Sequence, residues 1–175
     1  MRKLKNEELN RPTIDEFKAQ PKHDVILILD SIRSLNNVGS AFRTSDAFNV
    51  KKIYLCGITG QPPHRDIHKT ALGATDSVEW EHVKDTKTAV KQLQEEQWTV
   101  WAVEQAEGAT MLDEFTPATE GKYAFVFGNE VFGVEQDVVD ACDGCLEIPQ
   151  YGTKHSLNIS VTIGVVLWHY IISKT

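Results

Sequence analysis

No stretch of this 175-residue chain is apolar for long enough to cross a bilayer; the most apolar run, "ISVTIGVVLWHYII" from Ile159, falls short. Met1 to Gln20 has no apolar core, so no secretory signal is expected there. Cysteine is scarce, three in all, which places the expected setting in a reducing compartment, the cytoplasm by default. Basic charge is lacking too: the net charge is −7 and the pI near 5.3, so no global field advertises a nucleic-acid partner. A local basic patch can still sit on an acidic body. Two familiar signatures are missing. No Gly-x-Gly-x-x-Gly follows the first apolar run, which leaves Rossmann-type cofactor binding unsupported. No Gly-x-Ser-x-Gly elbow exists, and the adjacent His155 and Ser156 cannot easily pair as base and nucleophile.

What is present reads as one globular domain: 41% of residues are hydrophobic and 25% charged, enough for a real core. The segment 1–22 reads as a short, slightly basic arm, either a solubilising tail or a contact for a polyanion, with the domain proper over 23–175. "HDVILILDSI" from His23 is a continuous apolar run of buried-strand length. Asn37 to Asn49 reads as a helix with Val38, Ala41, Phe42, Ser45 and Phe48 on one face, and with Asn36, Ser40 and Arg43 on another. "KKIYLCGI" is a second strand, and "TGQPPHRDIHK" (Thr59 to Lys69) a loop marked by glycine and two prolines.

Farther on, "DSVEWEHV" (Asp76 to Val83) reads as a strand by its alternation. "DTKTAVKQLQEEQ" is an amphipathic helix with Asp85 placed as its N-cap. "WTVWAVEQ", "KYAFVFGNE" and "GCLEIPQ" read as strands, "AEGATMLDEFTPATEG" as a long connection and "EQDVVDACD" as a short helix. The segment from Leu157 is expected as a helix, although its β-branched residues would also suit a strand. Strands alternating with helices predict an α/β fold, an open and mostly parallel sheet covered on both faces.

In such a sheet, ligands collect beyond the carboxyl ends of the strands. Three loops at those ends are unusually polar: "NNVGSAFRTSD" (Asn36 to Asp46), "FGNEVFGVE" (Phe127 to Glu135) and "IPQYGTKHSLNIS" (Ile148 to Ser160). Any one of them could be an ordinary capped turn. Three at equivalent strand ends are harder to dismiss.

The stretches "NNVGSAFRTSDAF", "YAFVFGNEVFGVEQDVVDACD" and "LEIPQYGTKHSLNISVTIGVVLWHYI" resemble the three motifs of the SpoU (TrmH-like) RNA 2′-O-methyltransferases, of the SPOUT superfamily. The resemblance covers Val25 to Ile172, with the motifs in family order. It implies transfer of a methyl group from S-adenosylmethionine to a ribose 2′-hydroxyl of tRNA or rRNA, a homodimer formed through the C-terminal region, and a C-terminal trefoil knot that builds the cofactor pocket. It further implies that Arg43, Asn37, Glu130, Ser156 and Asn158 are catalytic. Glu130 would orient Arg43 by an ion pair, while Asn37, Ser156 and Asn158 hold the arginine and the acceptor ribose. Val103, Glu104, Gly128, Asn129, Gly133, Ile148, Gln150 and Leu157 would hold the cofactor, with Ile148 and Leu157 sandwiching the adenine. The family's separate substrate-recognition domain has no counterpart here beyond the arm.

The chemistry is compatible with that set. A sulfonium leaves as a neutral thioether, so the difficulty lies in aligning and activating the acceptor hydroxyl. A guanidinium stays protonated in almost any protein setting, so Arg43 is expected to clamp a neighbouring phosphate rather than to act as the base.

Weaker signals are read structurally. "CDGC" (Cys142 to Cys145) has redox or half-zinc spacing but no second pair, and His64 with His68 sits in an apparent loop. Trp98 and Trp101 are expected to fill core rather than to stack on bases. Two rival readings stand beside the methyltransferase: a non-catalytic RNA-binding relative of the same fold, and a small-molecule α/β binding protein or reductase favoured by the acidic charge.

Overall fold

The computed structural model describes residues 1–174. Seven strands form one sheet: β1 (His23–Asp30), β2 (Val50–Cys56), β3 (Trp80–Val83), β4 (Thr99–Val103), β5 (Thr110–Met111), β6 (Tyr123–Phe127) and β7 (Gly144–Glu147). Their order is β3-β2-β1-β6-β4-β7-β5, and every pairing is parallel. The α/β class is therefore as expected, and the sheet is parallel throughout rather than mostly so.

The sheet works because its middle strands are apolar on both faces. Val25, Leu27 and Leu29 of β1 and Phe125 and Phe127 of β6 enter one core, while Ile26, Ile28, Ala124 and Val126 enter the other. Helix α2 (Leu35–Ala47) and helix α7 (Ile159–Lys174) cover the first face. Helix α5 (Thr86–Glu95), with Ala89, Val90 and Leu93 inward, covers the second, joined by Val138 of the short helix α6 (Gln136–Val139). Asp85 caps α5 by accepting the Thr88 N–H at 2.9 Å, the role its position predicts. The chain runs from β1 outward to β2 and β3, then returns to set β6 on the other side of β1. The carboxyl ends of β1 and β6 thus flank a point where strand order reverses, the usual crevice for a ligand.

Three segments differ from their sequence reading. The loop expected over Thr59 to Lys69 ends in a helix, α3 (Arg65–Ala71), which starts just after a cis Pro62–Pro63 bond and is capped by the His64 ring nitrogen accepting the Asp66 N–H. The prolines mark its entry rather than a continuing loop. Helix α3 is short and is held by tertiary contact: Thr70 Oγ1 donates to the Asn36 carbonyl at 2.9 Å, where α3 crosses α2. The strand expected from Asp76 starts only at Trp80, because Ala74–Ser77 forms a further helical turn, α4, in which Ser77 donates to the Asp46 carboxylate. The long connection before β6 contains β5 at the sheet edge.

Two further features bear on function. Within the N-terminal segment, helix α1 (Ile14–Ala19) inserts Phe17 into the first core, so the arm is anchored at that residue. Helix α7 buries Ile159, Ile163, Val166, Leu167 and Tyr170, while Val161, Val165, Trp168 and Ile172 form an exposed stripe along its opposite side. No helix among the described residues is long and apolar enough to cross a membrane.

The α2–α3 crossing depends on Gly39, where a Cβ would collide with Thr70 Oγ1 and the Ile67 carbonyl oxygen. Gly39→Ala should therefore destabilise the fold by about 1–3 kcal/mol despite alanine's better helix propensity. Urea unfolding checks this; a variant as stable as the parent would contradict the crossing.

Candidate active site

Two of the three polar loops, those after β6 and β7, meet the end of β4 around a cavity of about 530 Å³, within the range of pockets that take small-molecule ligands, while the first, Asn36 to Asp46, with Asn37, supplies no lining residue. All eight residues assigned to the cofactor line it: Val103, Glu104, Gly128, Asn129, Gly133, Ile148, Gln150 and Leu157. So do Glu130, Ser156 and Asn158 of the proposed catalytic set.

The walls are built locally. The loop after β6 closes on itself: Asn129 and Gly133 exchange backbone hydrogen bonds, and the Asn129 side chain accepts the Val131 N–H at 2.9 Å while donating to the Ser31 carbonyl at 2.7 Å. Gly133 takes a positive φ of 69°, and a side chain on Gly128 would collide with the Gly133 backbone. Both glycines serve the loop's own closure. From the other side, the Glu104 carboxylate accepts the Val134 N–H at 2.9 Å and the Gln105 N–H at 2.8 Å, pinning this loop to the end of β4. At the α7 end, Asn158 Oδ1 accepts the Ser160 N–H at 2.9 Å in the manner of an N-cap.

A chain of side-chain hydrogen bonds joins the three motifs. Asn37 Nδ2 donates to Glu130 at 3.0 Å, and Asn158 Nδ2 donates to Asn37 Oδ1 at 3.4 Å. Glu130 also accepts the backbone N–H groups of Arg33 and Ser34, each at 3.1 Å, just ahead of α2. Partial desolvation pushes the Glu130 carboxyl up, but hydrogen bonds from the Asn37 side chain and from the Arg33, Glu130 and Ser34 backbone outweigh it. The net shift is downward from the ordinary value of 4.5, so the group is a carboxylate at neutral pH.

Two expectations fail in the single chain. Glu130 does not pair with Arg43; its oxygens are taken by Asn37 and the start of α2. Arg43 is exposed, does not line the cavity, and makes no hydrogen bond or ion pair among the described residues. The reason is helical geometry: six residues past Asn37 lies about 9 Å along the axis and about 240° around it. Arg43 follows Asn36 and Ser40 instead, on the side of α2 that carries Gly39. Residues absent from the sequence reading also line the cavity. Phe132 stands exposed on the wall, and Thr162 sits one helical turn after Asn158, a spacing that could have revealed it.

Other candidates fall away from this centre. Burial pushes Cys142 up to about 12 and raises Cys145 as well, so both are thiols without the thiolate character that redox or metal chemistry needs. Among the described residues, no group of three or more His, Cys, Asp or Glu side chains could hold a metal ion.

An open parallel α/β sheet with its polar loops gathered round one crevice defines a ligand-binding or catalytic domain of the strand-end type. Comparison with known proteins narrows it. The SpoU rRNA Methylase family model matches residues 24–168, and the chain belongs to that family. It is 31% identical over 161 residues to the 23S rRNA (guanosine-2'-O-)-methyltransferase RlmB of Vibrio cholerae, covering 92% of this chain and 64% of that protein. It is 30% identical over 166 residues to the tRNA (guanosine(18)-2'-O)-methyltransferase of Thermus thermophilus, covering 92% of this chain and 81% of that one. This chain thus spans somewhat less than two thirds of the RlmB relative's length. The fold is also that of the A. aeolicus TrmH/SpoU tRNA modifying enzyme, with a TM-score of 0.76 at 24% identity over 87% of this chain and 76% of that one. An AdoMet-bound rRNA methyltransferase from Sinorhizobium meliloti superposes with a TM-score of 0.78 at 23% identity, over 85% of this chain and 56% of that one.

Replacing Glu130 by alanine leaves the Arg33 and Ser34 amides and Asn37 Nδ2 without their acceptor. Hydrogen exchange at Arg33 and Ser34 should speed up, with the β1 amides unchanged. Because the folded-state carboxyl is depressed, its stabilisation is present above about pH 4.5 and lost as pH falls through the lower folded value. The stability gap between parent and Glu130→Ala should therefore shrink below that pH; a gap that stays constant into acid would contradict the carboxylate's role.

Proposed function

We propose that this chain transfers a methyl group from S-adenosylmethionine to a ribose 2′-hydroxyl of tRNA or rRNA. The observation that carries the reading is the hydrogen-bonded chain Glu130–Asn37–Asn158, which ties the start of α2 to two segments, far from it in sequence, that line the cavity. The named relatives support it from outside, as enzymes that methylate guanosine riboses in 23S rRNA and in tRNA.

The cavity fits the proposed donor. It is large enough, half polar in character, and lined on its apolar side by Leu146, Ile148 and Leu157, which suit a flat purine between aliphatic side chains. When bound, the donor supplies an electrophilic methyl group on a sulfonium. Backbone of Gly128, Asn129 and Gly133, with Gln150 and the strand ends at Val103 and Glu104, would hold it. The knot belongs to this proposal, with the segment from Ile148 to Leu157 closing the cavity against the loop after β6. Glu130 and Asn37 keep the start of α2 against the cavity, and Ser156 and Asn158 offer a hydroxyl and an amide to the acceptor sugar.

Arg43 requires a second subunit. The exposed stripe Val161, Val165, Trp168 and Ile172 is a contiguous apolar face of the kind that marks an interface, and Trp168 packs edge-on against Phe48 at the end of α2. A homodimer through α7 and α2 would cover the stripe and let the partner subunit's Arg43 face the cavity, its fork clamping an RNA phosphate beside the reacting ribose. The exposed side chains of Arg33, Arg65 and Lys69 have no carboxylate partner among the described residues, and they give this acidic chain a local positive surface for RNA near α2 and α3. The three free thiols suit a reducing, cytoplasmic setting.

Calorimetry should show S-adenosylmethionine binding and no heat with a nicotinamide dinucleotide, which separates this reading from the reductase. Mass mapping of ribose methylation in total RNA, with and without the protein, should reveal one or a few sites lost. A chain that binds the donor but changes no ribose would be the non-catalytic relative. Arg43→Lys should lose most methyl transfer, on the order of 10²-fold, while still binding the donor; full activity would refute the clamp. Trp168→Glu should shift sedimentation at micromolar concentration from dimer to monomer, and a parent that is already monomeric would remove the shared site.

A further inference from the structure

Phe132 is 75% exposed and Val131 67%, two large apolar side chains side by side on the loop after β6. The loop does not leave them free to fold inward. Asn129 Oδ1 accepts the Val131 N–H at 2.9 Å and the Phe132 N–H at 3.3 Å, and Asn129 and Gly133 exchange backbone bonds on either side of them. Phe132 packs on no other aromatic ring among the described residues, and it lines the cavity together with Glu130, Ser156 and Asn158. The same loop is tied to the segment ahead of α2. Asn129 Nδ2 donates to the Ser31 carbonyl at 2.7 Å, and Glu130 accepts the Arg33 and Ser34 N–H groups, each at 3.1 Å. Arg33 is exposed and has no carboxylate partner among the described residues. These ties set an open aromatic face and an unpaired cation on neighbouring backbone at one side of the cavity.

We infer that Phe132 and Arg33 form a docking site for an unpaired nucleotide of RNA, the ring lying against a base and the guanidinium holding a phosphate next to it. The acceptor ribose then belongs to a single-stranded stretch. This rests on the RNA assignment proposed above and deepens it by naming the class of RNA. The occupant follows from the chemistry of the two groups. A flat apolar ring takes a base of any sequence, but only a base that is out of a duplex, where both faces are already stacked. A free guanidinium asks for an anion. In a chain of net charge −7, its place beside an apolar face suits a ligand that alternates flat bases with phosphates. An apolar protein partner would match the ring and leave the guanidinium without an anion. Ser156 and Asn158, the groups offered to the acceptor sugar, line the same cavity as Phe132, so a base on the ring belongs to the acceptor nucleotide or to its neighbour.

The test is fluorescence anisotropy on the full chain with a labelled oligoribonucleotide of mixed sequence, single-stranded and annealed to its complement. The parent should bind the single strand about tenfold tighter than the duplex at the same salt, and equal binding would overturn the inference. That preference is read on the parent alone, so it decides whether or not a variant folds. Phe132→Ala should weaken single-strand binding by about tenfold, leave duplex binding within about twofold, and keep the salt dependence, since stacking releases no counterion. Phe132→Trp should retain the binding. Arg33→Gln should lessen the slope of log affinity against log salt by about 0.7, the share of one phosphate on a single strand. Single-strand binding unchanged in Phe132→Ala and Arg33→Gln would overturn the inference and leave the methyltransferase reading standing. A loss in Phe132→Ala that comes with a shift to monomer in sedimentation, or with a matching loss of S-adenosylmethionine binding in calorimetry, would assign the ring to a subunit contact or to the cofactor wall and overturn it too. Single-strand binding through Phe132 by a chain that methylates no ribose would support the docking site and refute the methyl transfer.

Discussion

The Glu130 carboxylate is the constraint on which the rest of the site depends. One side chain on the loop after β6 takes hydrogen bonds from two backbone amides ahead of α2 and from Asn37 within it. Those bonds fix where α2 begins. Asn37 in turn receives Asn158, at the start of α7. The strand order that sets β6 directly beside β1 makes this possible, because it brings the ends of both strands within reach of one carboxylate. Fold and site are therefore one arrangement: the reversal in strand order makes the crevice, and Glu130 ties its edges.

The loop that carries Glu130 is itself held by a second acid. Glu104 grips the far limb at Val134, and Gly128 and Gly133 allow the limbs to close without side chains between them. A segment that would otherwise be an exposed turn becomes a wall with defined polarity. The Glu130 carboxylate, held below the ordinary value by its bonds to Asn37 and the start of α2, contributes while ionised, which places its tie on the neutral side of the acid range.

Much of this was legible in the sequence, for a definite reason. Continuous apolar runs such as Val25 to Leu29 announce strands buried on both faces, and polar loops that follow them fall at strand ends by construction. The loops that hold the site could thus be named before any coordinates, while the particular residues within them came from the resemblance to the SpoU motifs. What could not be read was which of them meet. Glu130 and Arg43 stand in the same motif set, yet a residue list carries no angle, and six positions of helix turn Arg43 away. Helix α3 was hidden by the glycine and prolines ahead of it, since its stability comes from the crossing at Gly39 and not from local propensity. The side chain of Glu104 escaped notice because a strand-end position suggests backbone contact, and only the folded loop reveals what its carboxylate holds.

The same strand order has a consequence for how the polypeptide comes into being. Strand β1 leaves its synthesis site early, but the neighbour that completes it on one side, β6, is Tyr123–Phe127, and the tyrosine that seals its start, Tyr170, donates to the Asp24 carbonyl across 146 positions of chain. Until those later residues exist, a nascent chain carries a row of open main-chain donors and acceptors flanked by valine, leucine and isoleucine, the kind of edge that recruits foreign strands. The topology that creates the crevice thereby lengthens the interval during which the young polypeptide needs shielding from its neighbours.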